Sequence, residues 1–222
     1  LMVGITVVTV LSIYLMSKMR NNMLDYTKRI VNKKTLRYFL ECDRLALKKN
    51  YTKPKLFRDS IWRFQILLRK TEYWSNKEFF LARLIYLAHL FLYKRQCVRY
   101  GVEIPLNCIG EGLVIWHLNG IIINPECKIG SNCSLSAGVV IGHAKGRVPY
   151  IGNNVHIMLG TKILGANVCN NVTIGAASFV IKDITEPYTV WAVHPAKILS
   201  TNYNSDHIKQ GLLIEEMKER FL

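Results

Sequence analysis

The sequence predicts two kinds of structure in one chain: an all-α N-terminal region followed by a parallel β-helix of triangular coils. Three observations carry this. Aliphatic residues lead a series at Ile109, Ile115, Ile123, Ile129, Leu135 and Ile141, then at Ile151, Ile157, Ile163, Val168, Ile174 and Val180, with most steps six residues long. Before Gly101 the apolar spacing is that of helices instead. The charge divides at the same place: residues 1–100 hold 21 Lys+Arg against 6 Asp+Glu, and residues 101–222 hold 9 of each. With 222 residues, half of them hydrophobic, the chain is long enough to bury a core and too apolar for global disorder.

The elements follow in order. Residues 1–17, LMVGITVVTVLSIYLMS, carry no charge, and Lys18 and Arg20 follow. Residues 1–20 are therefore expected as an apolar N-terminal segment, whether a membrane anchor, a buried helix or an artefact of the assigned start. A signal peptide fits poorly, because no basic stretch precedes the segment and no small-residue cleavage site ends it. Residues 21–100 read as a helical basic domain. Apolar residues fall roughly on one face over 36–49 and again over 57–70, with Pro54 breaking the pattern between them. Ser75 followed by Glu78 reads as a capping box opening a long helix over 76–100, on which His89 is expected to pack.

Residues 101–199 carry the hexad. A period of six is not the 3.6 of an α-helix. Taking each hexapeptide as one flat side and three sides as one turn puts every leading aliphatic inside, stacked turn upon turn. Such turns need small residues or Asn at their corners, which GSN (130–132), GNN (152–154) and Asn170-Asn171 supply. Residues 200–222 read as a helical tail. The metre breaks in three places. Ile115 to Ile123 is eight residues, so a bulge forms around His117; Ile141 to Ile151 is ten, so a loop projects; Ile163 to Val168 is five. Insertions in a solenoid are where function tends to sit. The six cysteines form no C-x-x-C pair and no Cys/His cluster with zinc spacing, so reduced cytosolic thiols and no metal site are expected.

The segments VEIPLNCIGEGLVIWHLNGIIINPECKIGSNCSLSAGVVIG, GRVPYIGNNVHIMLGTKILG and VTIGAASFVIKDITEPYTVWAVHPAKIL resemble the hexapeptide-repeat acyltransferases, within them the serine O-acetyltransferase type and especially its branch from surface-polysaccharide gene clusters. The resemblance covers residues 101–199. It implies a left-handed parallel β-helix, a homotrimer or a dimer of trimers, and acetyl transfer from acetyl-CoA to a hydroxyl of serine or of a polysaccharide sugar. His117, in HLNG, stands at the family's general base, and Glu103, in VEIP, at the acid that orients it. Arg147 matches a loop arginine on the acceptor side. Two family positions differ: Val148 stands where a loop histidine is usual, and Trp116 where an aspartate precedes the base. Both lost groups normally face an amino-acid acceptor. Trp116, Arg147 and His143, a loop histidine able to replace the missing one, are the acceptor-binding candidates. The cofactor is expected along the later turns, on Gly160, Thr161, Ala176, Ala177 and Ser178, with Lys182 and Lys197 toward its phosphates. Val193 replaces a family glycine before Pro195-Ala196-Lys197.

The chemistry asked of these residues is modest. A hydroxyl is a poor nucleophile near neutral pH; an imidazole that takes its proton during attack on a thioester contributes roughly 10²–10⁴-fold. A carboxylate on the far ring nitrogen fixes the tautomer and supports the imidazolium. Glu103 alternatively reads as a plain surface acid, and His156 and His194 as structural or cofactor-adjacent. Zinc carbonic anhydrases use the same coil, but their closely spaced histidine pair is missing here. A degenerate coil acting only as a scaffold is the non-enzymatic alternative. The basic half suits a membrane surface, a lipid-linked glycan or an acidic glycan, in a cytoplasmic or membrane-associated protein. No recognition motif accompanies the charge, so nucleic acid is not expected.

Overall fold

The computed structural model describes residues 30–221, apart from Asn202 and Asn204. The expectation for residues 1–20 lies outside the described residues. Three helices come first: α1 (Lys33–Ala46), α2 (Ser60–Ser75) and α3 (Phe80–Tyr100). Asn32 caps α1 reciprocally with Thr35, each side chain accepting from the other's backbone N–H. The capping box read at Ser75 does not form. Ser75 ends α2 and its hydroxyl donates to the Glu72 carbonyl at 2.8 Å, while Phe79 precedes α3 with no side-chain cap. The segment 57–70 also starts late as a helix. Asp59 accepts from Lys49, Tyr51 and the Lys55 backbone at 2.8 Å each, which holds residues 51–59 as a loop and leaves Phe57 outside.

From Gly101 the chain winds into a parallel β-solenoid. One face stacks β1 (Val114–Ile115), β4 (Ser134–Leu135), β7 (His156–Ile157), β9 (Val172–Ile174) and β11 (Thr189–Ala192). The second stacks β2 (Ile122–Ile123), β5 (Val140–Gly142), β8 (Lys162–Leu164) and β10 (Phe179–Val180). The third pairs β3 (Lys128–Ile129) with β6 (Tyr150–Ile151) and continues through single bridges at Ile109, Val168 and Ile184. All twelve leading aliphatics of the hexad point inward and are at most 3% exposed. Asn132, Asn154 and Asn171 take positive φ at the corner between the third and first faces, as the turn motifs require. Their amides form a ladder up that corner: Asn132 donates to Asn154 at 2.8 Å, and Asn154 to Asn171 at 2.9 Å.

The open end of a β-solenoid exposes a rung of unpaired peptide groups. Here helical side chains satisfy it. Arg69 on α2 donates to the carbonyls of Ile109 and Gly110 at 2.9 and 2.6 Å, and Gln65 to that of Leu113 at 2.7 Å. Asp43 on α1 accepts from the Leu113 N–H, and Glu72 from that of Asn107, both at 2.8 Å. Tyr93 on α3 donates to the Ile104 carbonyl at 2.6 Å. Arg69 is itself fully buried and paired with Asp43 and Glu72 at 2.8 and 3.1 Å. Phe64, Leu68, Tyr93 and Cys97 share one apolar core with the coil interior.

At the far end β12 (Lys197–Ser200) turns back antiparallel on β11, and α4 (Ser205–Phe221) returns toward the helical layer. Ile214 joins a second core with Tyr38, Phe39 and Tyr73, and Phe221 lies 6.3 Å from Tyr38, ring to ring. All six cysteines are free thiols.

Candidate functional site

The corner between the first and second faces gathers most of the candidates. Each rung crosses it through a glycine or alanine, and backbone bonds link the crossings. Gly120 N–H donates to Gly101 at 3.0 Å, and Gly138 to Asn119, Gly160 to Ala137 and Ala177 to Leu159 at 2.8 Å each. The turn at Gly120 has φ +63°, a conformation glycine adopts without steric cost. The two extra residues at His117 appear as the expected bulge. Trp116 N–H still pairs with the Leu135 carbonyl at 2.9 Å, Leu118 packs against the core, and the side chains of Trp116 and His117 stand in solvent. The ring that the sequence singles out therefore projects from the coil and does not sit within it.

Glu103 begins the second face one rung below Ile122, bonded through its backbone to Ile121 and Ile123 at 2.8 Å each. Its side chain is exposed and lines a cavity of about 550 Å³ with Lys94, Ile122 and Pro125. Glu103 and His117 thus occupy neighbouring levels around one corner, without a hydrogen bond between their side chains.

Beyond His117 the corner continues as a strip of small side chains, Ser136, Ala137 and Gly138, then Gly160, then the exposed Ala176 and Ala177. Met158 and Leu159, both exposed, edge it. Thr161 and Ser178 stand at the same levels but turn inward: both hydroxyls donate to the Gly175 carbonyl, at 3.0 and 2.6 Å. Both are buried, so they shape the strip from beneath and their hydroxyls do not face it. Lys182 is exposed just past β10, and Lys197 is exposed on β12 opposite Ala192. The rung Ser136–Gly138, which joins the His117 bulge to the cofactor candidates, escaped the sequence reading; the tripeptide Ser-Ala-Gly one step after Leu135 was its signal.

Arg147 and His143 lie elsewhere. Their loop leaves the corner at the opposite edge of the second face, so within one chain they are not beside His117. Arg147 is held by Asp183, both carboxylate oxygens accepting at 2.7 Å, and Asp183 also accepts from the Asn167 N–H. His143 contacts Asn124 at 3.4 Å. Opposite the strip, on the corner covered by α4, is a pair the sequence reading did not find. His156 and His207 stack at 5.7 Å, and burial lowers both pKa values, that of His207 to about 4. Among the described residues no group of three His, Cys, Asp or Glu side chains could hold a metal ion.

These features define the chain as a helical layer followed by a hexapeptide-repeat parallel β-solenoid. Over its matched segment it is similar in sequence to serine acetyltransferases. The serine acetyltransferase of Staphylococcus xylosus is 39% identical over 127 residues, covering 54% of this chain and 55% of that protein. That of Buchnera aphidicola subsp. Schizaphis graminum is 32% identical over 165 residues, covering 71% of this chain and 60% of that protein. The chain thus spans little more than half the length of the curated relatives it matches. No family model matches the chain. Among solved structures, a serine acetyltransferase in complex with CoA and the soybean enzyme complexed with serine each superpose with a TM-score of 0.59 at 24% identity. The first comparison covers 75% of this chain and 71% of that one, the second 74% and 69%. At that identity the likeness concerns the fold: a helical layer followed by a parallel β-solenoid.

Proposed function

We propose that the chain is an acetyl-CoA-dependent O-acetyltransferase in which His117 is the general base. The observation that carries this reading is the solvent-facing imidazole at the head of a strip of small residues, in a coil similar in sequence to serine acetyltransferases. His117 takes the proton of the acceptor hydroxyl as its oxygen attacks the thioester carbonyl. The tetrahedral intermediate then expels CoA thiolate, which receives that proton from the imidazolium. Glu103, on the adjacent level, positions the ring and favours the imidazolium electrostatically. The acetyl-CoA arm lies along Gly160, Ala176 and Ala177, close to the backbones of Thr161 and Ser178, and Lys182 and Lys197 meet its phosphates. The resemblance to hexapeptide-repeat acyltransferases implies a homotrimer, in which a neighbouring coil brings a further wall to the strip.

Serine is the acceptor that the relatives' names support. A sugar hydroxyl is favoured by a different observation. The residue before the base is Trp116, Val148 replaces the loop histidine, and Arg147 is already occupied by Asp183. The loop arginine is thus already paired with a carboxylate of this chain, while Trp116 offers a flat apolar face on which a sugar ring can stack. The basic half suits an acceptor carried on an anionic or lipid-linked glycan.

The test is thiol release from acetyl-CoA with serine, nucleotide-linked sugars and lipid-linked sugars as acceptors. We expect turnover with at least one, and its loss in His117→Ala without loss of oligomer. Thermal stabilisation by CoA is expected as well. No turnover and no stabilisation would leave the scaffold reading in its place.

A further inference from the structure

Helix α3 is covered on only one side, and its uncovered side is rich in large apolar residues. Tyr93, Cys97 and Ala82 face the molecule. On the other side Phe80, Leu84, Leu87, Phe91 and Val98 recur at helical spacing and are between 50% and 83% exposed. The patch extends sideways. A groove of about 800 Å³ between the 54–57 loop and α3 is lined by Phe57, Leu67 and Leu92 and flanked by Arg63, Lys70 and Arg99. Phe57, at its mouth, is 96% exposed. An apolar surface on this scale marks an interaction site.

The charge around it selects the partner. No Asp or Glu occurs between residues 79 and 102, while Arg83, Lys94, Arg95 and Arg99 all stand exposed on α3. Two copies joined through this face would set those cations against one another with no acid on the helix to separate them. An anionic surface would meet them favourably and take the apolar residues between them.

We propose that the exposed side of α3, together with Leu56 and Phe57, docks the chain on a bilayer surface containing anionic lipid. The aromatic and leucine side chains enter the headgroup boundary while Arg83, Lys94, Arg95 and Arg99 meet the lipid phosphates. This is surface docking, not insertion: no helix of the described residues is long and apolar enough to cross a membrane. The inference deepens the partner proposed for the basic half, and it would set the coil beside acceptors carried on lipid.

Co-sedimentation of the full chain with phosphatidylcholine vesicles, with and without phosphatidylglycerol, tests it without any turnover. Failure of docking and failure of acetyl transfer are therefore separate results. We expect binding to the anionic vesicles that weakens steeply with salt. Neutralising Arg83, Arg95 and Arg99 together as glutamine should lower that partition about a hundredfold at low salt, each cation being worth roughly a factor of five. Leu84→Ser with Phe91→Ser should lower it by about tenfold or more, with the melting temperature retained because both side chains are exposed. No binding to anionic vesicles, or binding that neither variant changes, would overturn the proposal. So would a smaller sedimenting mass for the Leu84→Ser, Phe91→Ser chain without vesicles, which would assign the face to a second copy.

Discussion

Val193 holds φ at +72°, a region in which a β-branched side chain crowds its own backbone. It stays there because its carbonyl accepts from Phe179 N–H at 3.2 Å and Ala196 N–H donates back to Phe179 at 2.9 Å, fixing the segment beside β10. The resemblance implies a glycine at this position, and the structure supplies the consequence of the valine found there. Val193→Gly should raise the stability by about 1 kcal/mol, seen as a higher melting temperature; a lower one would mean that the valine side chain contributes more packing than its backbone costs. The opposite expectation holds at His117, whose ring touches no core. His117→Ala should change unfolding free energy by less than about 0.5 kcal/mol while abolishing turnover, and a large loss of stability would make its role structural. Glu103→Gln keeps the shape and removes the charge. Its turnover should fall with CoA affinity unchanged, and an equal rate would make Glu103 a bystander.

At the scale of elements, the asparagine corner and α4 depend on one another. Asn154 donates to Asn171, accepts from Asn132 and sits at φ +56°. Asn154→Gly keeps the backbone conformation and loses the ladder, a cost of about 1 kcal/mol. Asn154→Ala adds the left-handed strain and should cost roughly 1–2 kcal/mol more. Chemical denaturation of the two variants separates these contributions, and equal losses would show that strain plays no part. Asn132 also donates to the carbonyl of His207 at 3.0 Å, which seats α4 on this corner. Burial and the neighbouring His156 lower the pKa of His207 from 6.5 to about 4. The unfolded chain therefore takes up a proton as pH falls through 6.5, and the folded chain does so only near 4. The stability this site confers is complete above 6.5 and is lost between 6.5 and 4, up to about 3 kcal/mol, with His156 acting in the same direction. His207→Leu should flatten the dependence of unfolding free energy on pH in that window, and an unchanged slope would place the proton uptake elsewhere.

For the molecule as a whole, the helical layer is the cap that lets the solenoid start. Arg69 has no exposure, two carboxylate partners and two coil carbonyls. Arg69→Met would strand Asp43 and Glu72 in the interior and uncap the first rung, at about 3–5 kcal/mol. Urea unfolding should then show a lower midpoint for the coil and the helices together, because they share one core. A separate early transition of the helices would mean that the coil closes its own end.

The six-residue metre was legible because every turn repeats the same demand: an aliphatic inside and a small residue or Asn at the corner. That local repetition determined the solenoid, its inward residues from Ile109 to Val180, and the bulge that exposes His117. Helix ends were less legible. Ser75 and Glu78 carry the pattern of a cap, but Glu72 turns to Asn107 of the coil and Ser75 to the end of α2, so a distant contact decides the boundary. The same holds for Arg147, whose sequence position suggests an acceptor and whose partner, Asp183, arrives from a later coil. His156 and His207 gave no signal, since only the return of α4 stacks them. The sequence alone thus determined what repeats along the chain, where neighbours suffice. The tertiary structure decided which charged and polar groups meet across it, because burial and pairing depend on residues that the chain brings together only by folding.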